Sequence, residues 1–443
     1  MNFFPEFYFT LSLVYIYMIP SGRRYSTEIV SRVQTLIESK RFTEISKAIC
    51  GLKASTLTQS EWNAVTEAVT SFMKTNKSNT SLGYLSGSLL LGSASQGFPL
   101  SRSSRDTVSR VALESFPSLS VFDKVVFTVG SCQTGLRNAS VVEFVNRFLS
   151  EEQTNGFMNV PSTILPSLIL SVATLGIDNH NSWNALIAKI DVEKLSSSEV
   201  SNVALAIVTS RTFPIATVEK ILDRAAEIGA LNFSFNDAIC ILHSLCCLEV
   251  FRIDLVRGLL QRIGKEKAVM LDADGSKLLK QAILSLFLDE KAHAVVQSVS
   301  PRVLKDLNEL VDWSLPEPQR HHGQEAGEIQ EILSSTELGE DSNMHKAIVV
   351  PIDLADWTKE IASSVAMERF YSNDAIVEGK KIFVHFDDET YPDIREGPID
   401  AYLQAKHMHV LRCGWRLLWV RAHEWDALSS YSEKQSFIQK LLQ

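Results

Sequence analysis

A helix-start signal that recurs at a fixed spacing constrains the fold of this chain more than any other feature. Three short segments share an apolar residue, then a serine, then an acidic residue three positions after the serine. They begin at Leu119, Leu195 and Phe233. A serine before a helix accepts a hydrogen bond from an exposed N–H of the first turn, and an acid three positions later favours the same end. Each segment therefore predicts the start of a helix.

The spacing of these starts predicts a repeat. Leu195 and Phe233 lie 38 residues apart, and Leu119 lies twice that distance before Leu195. One step after Leu119 reaches Phe157, a weaker start, and one step after Phe233 reaches Leu271. Second helices of the repeat are predicted at 182–190, 215–225 and 253–263. A period of this length with two helices per unit is typical of an α-solenoid, and an irregular helical domain is the alternative.

The unit length and the pairing of helices resemble octotricopeptide and heptatricopeptide arrays, which are organellar RNA-binding proteins. The resemblance covers the period and the apolar pattern of the predicted array, residues 26–313. No residue code for individual bases is visible in the sequence. Each predicted hairpin has one apolar face, so neighbouring hairpins are expected to stack in order to bury it. The resemblance therefore implies an extended helical surface suited to RNA.

The charge of the chain is acidic overall but uneven along the sequence. The net charge is −9, from 43 basic and 52 acidic residues, and the predicted array is close to neutral at −1. Residues 314–346 carry −5 and are rich in Glu, Gln, Gly and Ser, so they predict an acidic flexible linker with one short helix at 328–333. Residues 402–443 carry +3. An acidic total predicts weak non-specific binding of nucleic acid, but a local basic surface can still bind phosphate.

The C-terminal residues resemble a known small domain. Residues 411–420 predict a helix end, a stop at Gly414 and a strand, residues 421–428 include a Glu-Trp pair, and residues 433–442 predict a last helix. This order resembles the closing half of a RAP domain, a module that often follows helical arrays in organellar RNA-binding proteins. The resemblance implies a small α/β domain at 347–443 with a restriction-endonuclease-like core. The expected chain is thus mostly α, an α-solenoid of helical hairpin repeats followed by this RAP-like domain.

In restriction-endonuclease-like cores an aspartate precedes a turn, and a Glu-x-Lys or similar group lies on the next strand. The resemblance places Asp374 at the aspartate position, His385 where glutamate is usual, and Asp387 at the next acid. Mg²⁺ prefers hard oxygen ligands, and a nuclease also needs a lysine or similar group near the nucleophile. Because His385 is a poor ligand for Mg²⁺, we expect degenerate nuclease-like positions. We expect no enzyme activity, no metal and no cofactor, with residual nuclease chemistry as the alternative.

Basic and aromatic residues near the C-terminus are the candidates for RNA binding. They are Arg412, Arg416, Arg421, Trp415, Trp419, Lys406 and His407. Because residues four apart share one face of a strand, the first two arginines are expected on one face and both tryptophans on the other. The tryptophans suit base stacking or core packing, and both interpretations remain open. Replacing the three arginines by glutamate is expected to weaken RNA binding and its dependence on salt.

The N-terminal residues and the cysteines bear on the compartment. Residues 3–19 are nearly all apolar or aromatic, and the Arg23-Arg24-Tyr25-Ser26 sequence that follows resembles a mitochondrial processing site. We expect residues 1–25 to target the chain to the mitochondrion and to be removed, with no stable membrane insertion of the mature chain. A membrane anchor or a secretory signal is the alternative. The six cysteines form no Cys-x-x-Cys pair and predict buried thiols in a reducing compartment.

These features predict an organellar RNA-binding protein that acts on ribosomal or messenger RNA, in RNA processing, in RNA stability or in ribosome assembly. Mitochondrial ribosomal or RNA-processing proteins are further candidate partners. The alternative is a structural scaffold whose helical array binds proteins, because a nearly neutral array suits protein contacts at least as well as RNA. An active nuclease is the least favoured of the three interpretations.

Overall fold

The structure is a computed structural model, and it is mostly helical. It describes residues 23–52, 57–76, 82–177, 180–210, 215–266, 271, 273–311, 313, 323–335, 354–371, 375–377, 381–387 and 401–442. The chain divides into two compact units. The first is Met1–Val218 with Glu396–Pro398, and the second is Glu219–Arg395 with Ile399–Gln443. None of the described helices is long and apolar enough to cross a membrane.

Helices that pair and stack form the first unit. They are α1 (Arg23–Glu38), α2 (Phe42–Cys50), α3 (Gln59–Thr75), α4 (Gly83–Gln96), α5 (Arg102–Glu114), α6 (Val121–Gln133), α7 (Ala139–Thr154), α8 (Leu165–Thr174), α9 (His180–Ala188), α10 (Ser197–Ser210) and the beginning of α11 (Ile215–Ile228). The even-numbered helices from α2 to α10 pack each against the next and form one row. The odd-numbered helices from α1 to α9 do the same and form a second row. One hydrophobic core runs through both rows.

The second unit combines further helices with a small sheet. Its elements are α12 (Phe235–Cys247), α13 (Ile253–Ile263), α14 (Ala273–Leu288), α15 (His293–Ser298), α16 (Pro301–Leu310), α17 (Gly323–Ser335), α18 (Lys359–Ser364), β1 (Ala375–Val377), β2 (Ile382–Asp387), α19 (Ala401–Arg412), β3 (Arg416–Arg421), α20 (Ala422–Asp426) and α21 (Tyr431–Leu442). The strand order is β1-β2-β3, with β1 antiparallel to β2 and β2 parallel to β3. Helix α19 connects the two parallel strands and packs against α14, α12 and β3.

Local capping explains why several helices begin where the sequence predicts. Ser120 Oγ accepts a hydrogen bond from the Asp123 N–H at 3.2 Å, and the Asp123 carboxylate accepts one from the Ser120 N–H at 3.3 Å. Ser196 precedes α10 and Ser234 precedes α12 with the same kind of serine–acid pair. The predicted starts near 119, 195 and 233 are therefore confirmed, and α14 begins two residues after Leu271.

The predicted start at Phe157 is wrong, because this residue lies in the turn that closes α7 after Thr154. Its backbone lies in the left-handed region with φ 54°, and its N–H donates to the carbonyl oxygen of Glu152 at 2.9 Å. The Phe157 side chain is fully buried. The sequence pattern of an apolar residue in the turn after a helix resembles that of an apolar residue just before the next helix. Helix α8 accordingly begins only at Leu165, after a turn.

One member of the repeat carries no capping signal. Helix α4 begins at Gly83, which lies 38 residues before Val121, the first residue of α6. The residue before it, Leu82, has an apolar side chain, which makes no capping hydrogen bond to the helix. Sequence alone therefore missed this start, although it continues the predicted register towards the N-terminus.

The contact between α4 and α6 depends on glycines. A Cβ atom at Gly130 would lie 2.8 Å from the Leu90 Cβ and 3.3 Å from the Leu91 nitrogen. A Cβ atom at Gly87 would lie 2.8 Å from Val126. The two distances of 2.8 Å are shorter than packed carbon atoms tolerate, so the two glycines set how closely the helices approach.

We predict opposite effects for two glycine-to-alanine changes. Gly130→Ala should destabilise the first unit by about 1–3 kcal/mol, since the added methyl group meets the backbone side of α4. Gly327→Ala is the matched control, because Gly327 lies inside α17 and a Cβ atom added there would have nothing within 4 Å. There the better helix propensity of alanine should stabilise by about 1 kcal/mol. Urea unfolding measures both, and equal effects would contradict the close approach.

The segment predicted as an acidic linker contains a packed helix. Ile329, Ile332 and Leu333 of α17 are fully buried. They belong to one hydrophobic cluster with the sheet and with α20 and α21, formed with Ile382, Val384, Leu418, Val420, Trp425 and Ile438. Helix α17 is therefore part of the C-terminal fold, while 314–322 and 336–346 lie outside the described residues. The short helix predicted at 328–333 is thus confirmed and extends over α17. Its packing was not predicted, because its partners in the sheet and in α20 and α21 lie far away in the sequence.

Candidate nucleic-acid interface

The structure gives Arg412 a different place from the one expected. Its guanidinium Nη2 lies 2.6 Å from Asp289 Oδ2 and 2.8 Å from Glu249 Oε1. The Arg412 side chain is only 17% exposed and that of Asp289 only 7%. The end of α19 lies beside the residues that follow α12 and α14, so the arginine joins these three segments of the second unit. Arg412 is therefore an ion-pair residue of the interior and does not belong to the candidate interface.

Two more candidate residues lie in the interior. Lys406 is 3% exposed, and its Nζ lies 5.3 Å from the centre of the Tyr371 ring and 5.4 Å from that of Phe383. Trp415 is 8% exposed and precedes β3. Lys406 makes cation–π contacts and Trp415 packs, so both stabilise the fold. Of the two interpretations of Trp415, core packing is the one that fits its burial.

Three of the candidates do come together. The rings of His407 and Trp419 meet edge to face with centroids 5.4 Å apart. The Arg421 guanidinium carbon lies 5.7 Å from the centre of the Trp419 ring. Trp419 and Arg421 are half-buried, so parts of both reach solvent. We call these three residues the Trp419 cluster.

Strand alternation explains the Trp419 cluster. Leu418 and Val420 of β3 are buried in the hydrophobic cluster with α17, which places Trp419 and Arg421 on the opposite face, towards α19. Arg416 lies three residues before Trp419 and therefore on the other face of β3, as expected for these two residues. Arg412 belongs to α19 and Trp415 precedes the strand, so β3 includes only one residue of each predicted pair.

The Trp419 cluster lies at the carboxyl ends of the two parallel strands. In the register of β2 and β3, His385 lies beside Trp419 and Asp387 beside Arg421. Ligands of α/β sheets bind outside the carboxyl ends of parallel strands. The side chains of His385 and Asp387, and all of Asp374, lie outside the described residues. Within the described part of the chain, no group of three His, Cys, Asp or Glu residues could hold a metal ion.

Arg416 is exposed but belongs to the other end of β3. Its N–H donates to the carbonyl oxygen of Lys381 at 2.8 Å, at the beginning of the strand. Five steps along a strand span about 17 Å, so Arg416 and Arg421 are too far apart to contact one phosphate. Arg416 is therefore a separate basic position and provides a control for substitutions of Arg421.

A buried network of polar side chains lies beside α19, and sequence reasoning missed it. His409 Nε2 lies 2.7 Å from Ser285 Oγ, and its Nδ1 lies 2.9 Å from the Tyr371 hydroxyl. Gln281 Nε2 donates to the same hydroxyl at 3.1 Å, and Gln281 Oε1 lies 2.9 Å from His243 Nε2. All five side chains are almost completely buried. We call them the buried histidine network.

The surroundings of His409 keep it neutral. Burial lowers the pKa of His409 from 6.5 to about 3, with smaller contributions in the same direction from the charges of Arg412 and His243.

The cysteines of the described chain form no disulfide. Burial raises the pKa of the Cys413 thiol to about 11 and that of Cys246 well above its usual value. These two thiols are therefore protonated at neutral pH and are weak nucleophiles.

No family model matches the chain, and no curated protein matches it. Its function is therefore inferred from the chemistry of its own residues.

Proposed function

We propose that this chain is an organellar RNA-binding protein whose RNA site is the Trp419 cluster, and that it is not an enzyme. The observation that carries the proposal is the Arg421 guanidinium over the ring of the half-buried Trp419, 5.7 Å from its centre. A partly exposed indole can stack on an unpaired base, and an arginine beside it can contact the adjacent phosphate. His407 packs against the Trp419 ring in an edge-to-face contact.

The charge distribution favours this region over the even-numbered row of the helical array. Helices α4 and α8 of the even-numbered row carry no charged residue. Lys124 of α6 is 8% exposed and pairs with Glu151 at 2.7 Å. These helices of the row therefore offer RNA phosphates little basic surface. We infer that phosphate contacts come from the C-terminal region, where residues 402–443 are net basic.

The resemblance to RAP domains enters the proposal as support. The β2–α19–β3 crossover, with helices on both faces of the sheet, suits the expected small α/β domain. The stacked helix pairs suit the expected α-solenoid. We propose a role in processing or stability of ribosomal or messenger RNA, or in ribosome assembly, inside the mitochondrion.

A scaffold that binds proteins is the second candidate, and one observation favours it. Large apolar side chains of the first unit are exposed: Phe122 at 51%, Met158 at 74% and Ile215 at 77%. Exposed apolar side chains on a nearly neutral surface suit contacts with proteins more than contacts with phosphate. An RNA-binding measurement separates the two functions.

We predict that the Trp419 cluster dominates RNA affinity. Arg421→Glu should weaken binding of single-stranded RNA by the full chain about tenfold and lower the slope of log affinity against log salt by about one unit. Trp419→Ala should weaken binding by about tenfold through the loss of stacking. Fluorescence anisotropy at several salt concentrations measures both effects.

Two charge reversals provide controls. Arg416 and Lys440 are exposed and belong to the same region but not to the Trp419 cluster. Arg416→Glu and Lys440→Glu should each change affinity less than Arg421→Glu. If all three reversals act alike, the region attracts RNA without a defined site. If folded wild-type chain binds no RNA, the scaffold function moves ahead.

Processing at the N-terminus tests the mitochondrial part of the proposal. We predict that the mature chain begins at Ser26, which lies in the first turn of α1. The first buried side chain described in α1 is Val33, so removal of residues 1–25 leaves the described core complete. N-terminal sequencing of the protein isolated from its own cells checks this, and an intact Met1 would contradict it.

A further inference from the structure

Helix α19 belongs to two sets of contacts within the second unit. On one side His409 and Arg412 reach Ser285 of α14 and the residues around Asp289. On the other side His407 meets Trp419 of β3. Because β3 is held by its pairing with β2 and by its packing against α17, a shift of α19 against both α14 and β3 would move His407 relative to the Trp419 ring.

The hydrogen bonds of the buried histidine network form one directed chain. With the Gln281 amide donating to the Tyr371 oxygen, the Tyr371 hydroxyl can donate its own proton to His409 Nδ1. His409 then carries its proton on Nε2 and donates to Ser285 Oγ, and His243 donates from Nε2 to Gln281 Oε1. Every bond in this order has one donor and one acceptor.

The widened end of α18 brings Tyr371 into this chain. The helix continues as a π-helix over Val365–Phe370, and the Tyr371 N–H donates to the carbonyl oxygen of Ala366 at 2.8 Å. The hydroxyl then reaches both Gln281 of α14 and His409 of α19. The network thus connects α12, α14 and α19 with the residue that follows the π-helix after α18.

We infer that the buried histidine network is a positioning device, which holds α19 in one register on α14 and thereby sets His407 at the Trp419 cluster. Buried polar groups stabilise only when all their partners are present, so a shifted α19 would leave several of them unsatisfied. Apolar packing alone tolerates small shifts more easily. The importance of the position of His407 for RNA binding rests on the proposed function. The positioning of α19 by the network does not depend on that function.

The test uses the full chain with Tyr371→Phe and Ser285→Ala, each of which removes one hydroxyl and keeps the packing. Ser244→Ala is the matched control. Ser244 is also a fully buried helical serine of the second unit, but its hydroxyl donates to the carbonyl oxygen of Cys240, outside the network. Melting curves first establish that all three variants are folded.

Two readouts follow α19 directly. The first is amide hydrogen exchange, which should accelerate about tenfold in α19 for the two network variants. The second is the NMR signal of the His407 ring, shifted by the ring current of Trp419 because the two rings meet. We expect this shift to shrink in Tyr371→Phe and Ser285→Ala and to stay unchanged in Ser244→Ala.

RNA affinity is the third readout, and the network variants should bind about threefold or more weakly, although no member of the network belongs to the Trp419 cluster. The inference is overturned if the His407 shift is unchanged, or if Ser244→Ala changes it equally, since the network would then only add stability. An altered shift with unchanged RNA affinity overturns the link to the interface. If wild-type chain binds no RNA, the proposed function fails, and the His407 shift still decides the positioning.

Discussion

Replacing Arg412 by methionine is expected to destabilise the second unit by about 3–5 kcal/mol, the usual cost of removing one partner from a buried ion pair. The Asp289 side chain is 7% exposed and lies 2.6 Å from the guanidinium. Without the arginine its carboxylate stays buried with no charge partner, although Oδ1 still accepts a hydrogen bond from the Lys291 N–H at 2.9 Å. Glu249 contributes less, because its side chain is 38% exposed and water screens its charge.

Hydrogen exchange of α14 and α19 measures this loss. Arg416→Met is the control, and it should change stability by less than about 0.5 kcal/mol because Arg416 is exposed. Adding Asp289→Asn to Arg412→Met should recover part of the loss, since the uncompensated charge is then gone. A loss below about 1 kcal/mol for Arg412→Met would show that the ion pair contributes no more than a surface pair.

The ion pair changes how RNA binding is tested. The replacement of three arginines predicted from the sequence includes Arg412, and a glutamate there would face the buried carboxylate of Asp289 and the more exposed one of Glu249. Such a variant would lose RNA binding by unfolding, whatever the role of the other two arginines. Single changes at Arg421 and Arg416 avoid this confusion.

Helix starts were predictable where the signal is local. The caps at Ser120, Ser196 and Ser234 involve atoms within three residues of one another, so the sequence contains the whole interaction. The start at Gly83 has no such signal, and its position depends on packing against α6. The pattern at Phe157 was local too, but it belonged to a helix end, which the same residue types can form.

The candidate site was only partly predictable for a similar reason. Trp419 and Arg421 are two apart on one strand, and alternation alone predicts their shared face. The partners of Arg412 lie 163 and 123 residues away, and Ser285 lies 124 residues from His409. No local pattern identifies such contacts. An arginine near a tryptophan strand therefore looked like a phosphate ligand, and no feature of the sequence singled out His409.

Acid is expected to unfold the second unit through His409. Its pKa is about 3 in the folded chain, because burial first and then Arg412 and His243 disfavour the charged form. In the unfolded chain the ordinary value of about 6.5 returns. Below pH 6.5 the unfolded state therefore binds a proton that the folded state does not, so stability falls as the pH falls. The loss is about 1.4 kcal/mol per pH unit between about 6.5 and 3.

His409→Gln isolates this contribution. A glutamine amide can still donate to Ser285 and accept from Tyr371, but it takes up no proton in this range. The variant will be less stable at pH 7.5, yet its stability should fall less steeply between pH 6 and 4, by about 1.4 kcal/mol per pH unit. Carboxylates titrate equally in both chains and cancel in the difference. Urea unfolding at a series of pH values, followed by hydrogen exchange in α14 and α19, gives the two slopes. Parallel slopes would mean that His409 is protonated in the folded chain, and the directed chain of hydrogen bonds from Tyr371 to Ser285 would then be wrong.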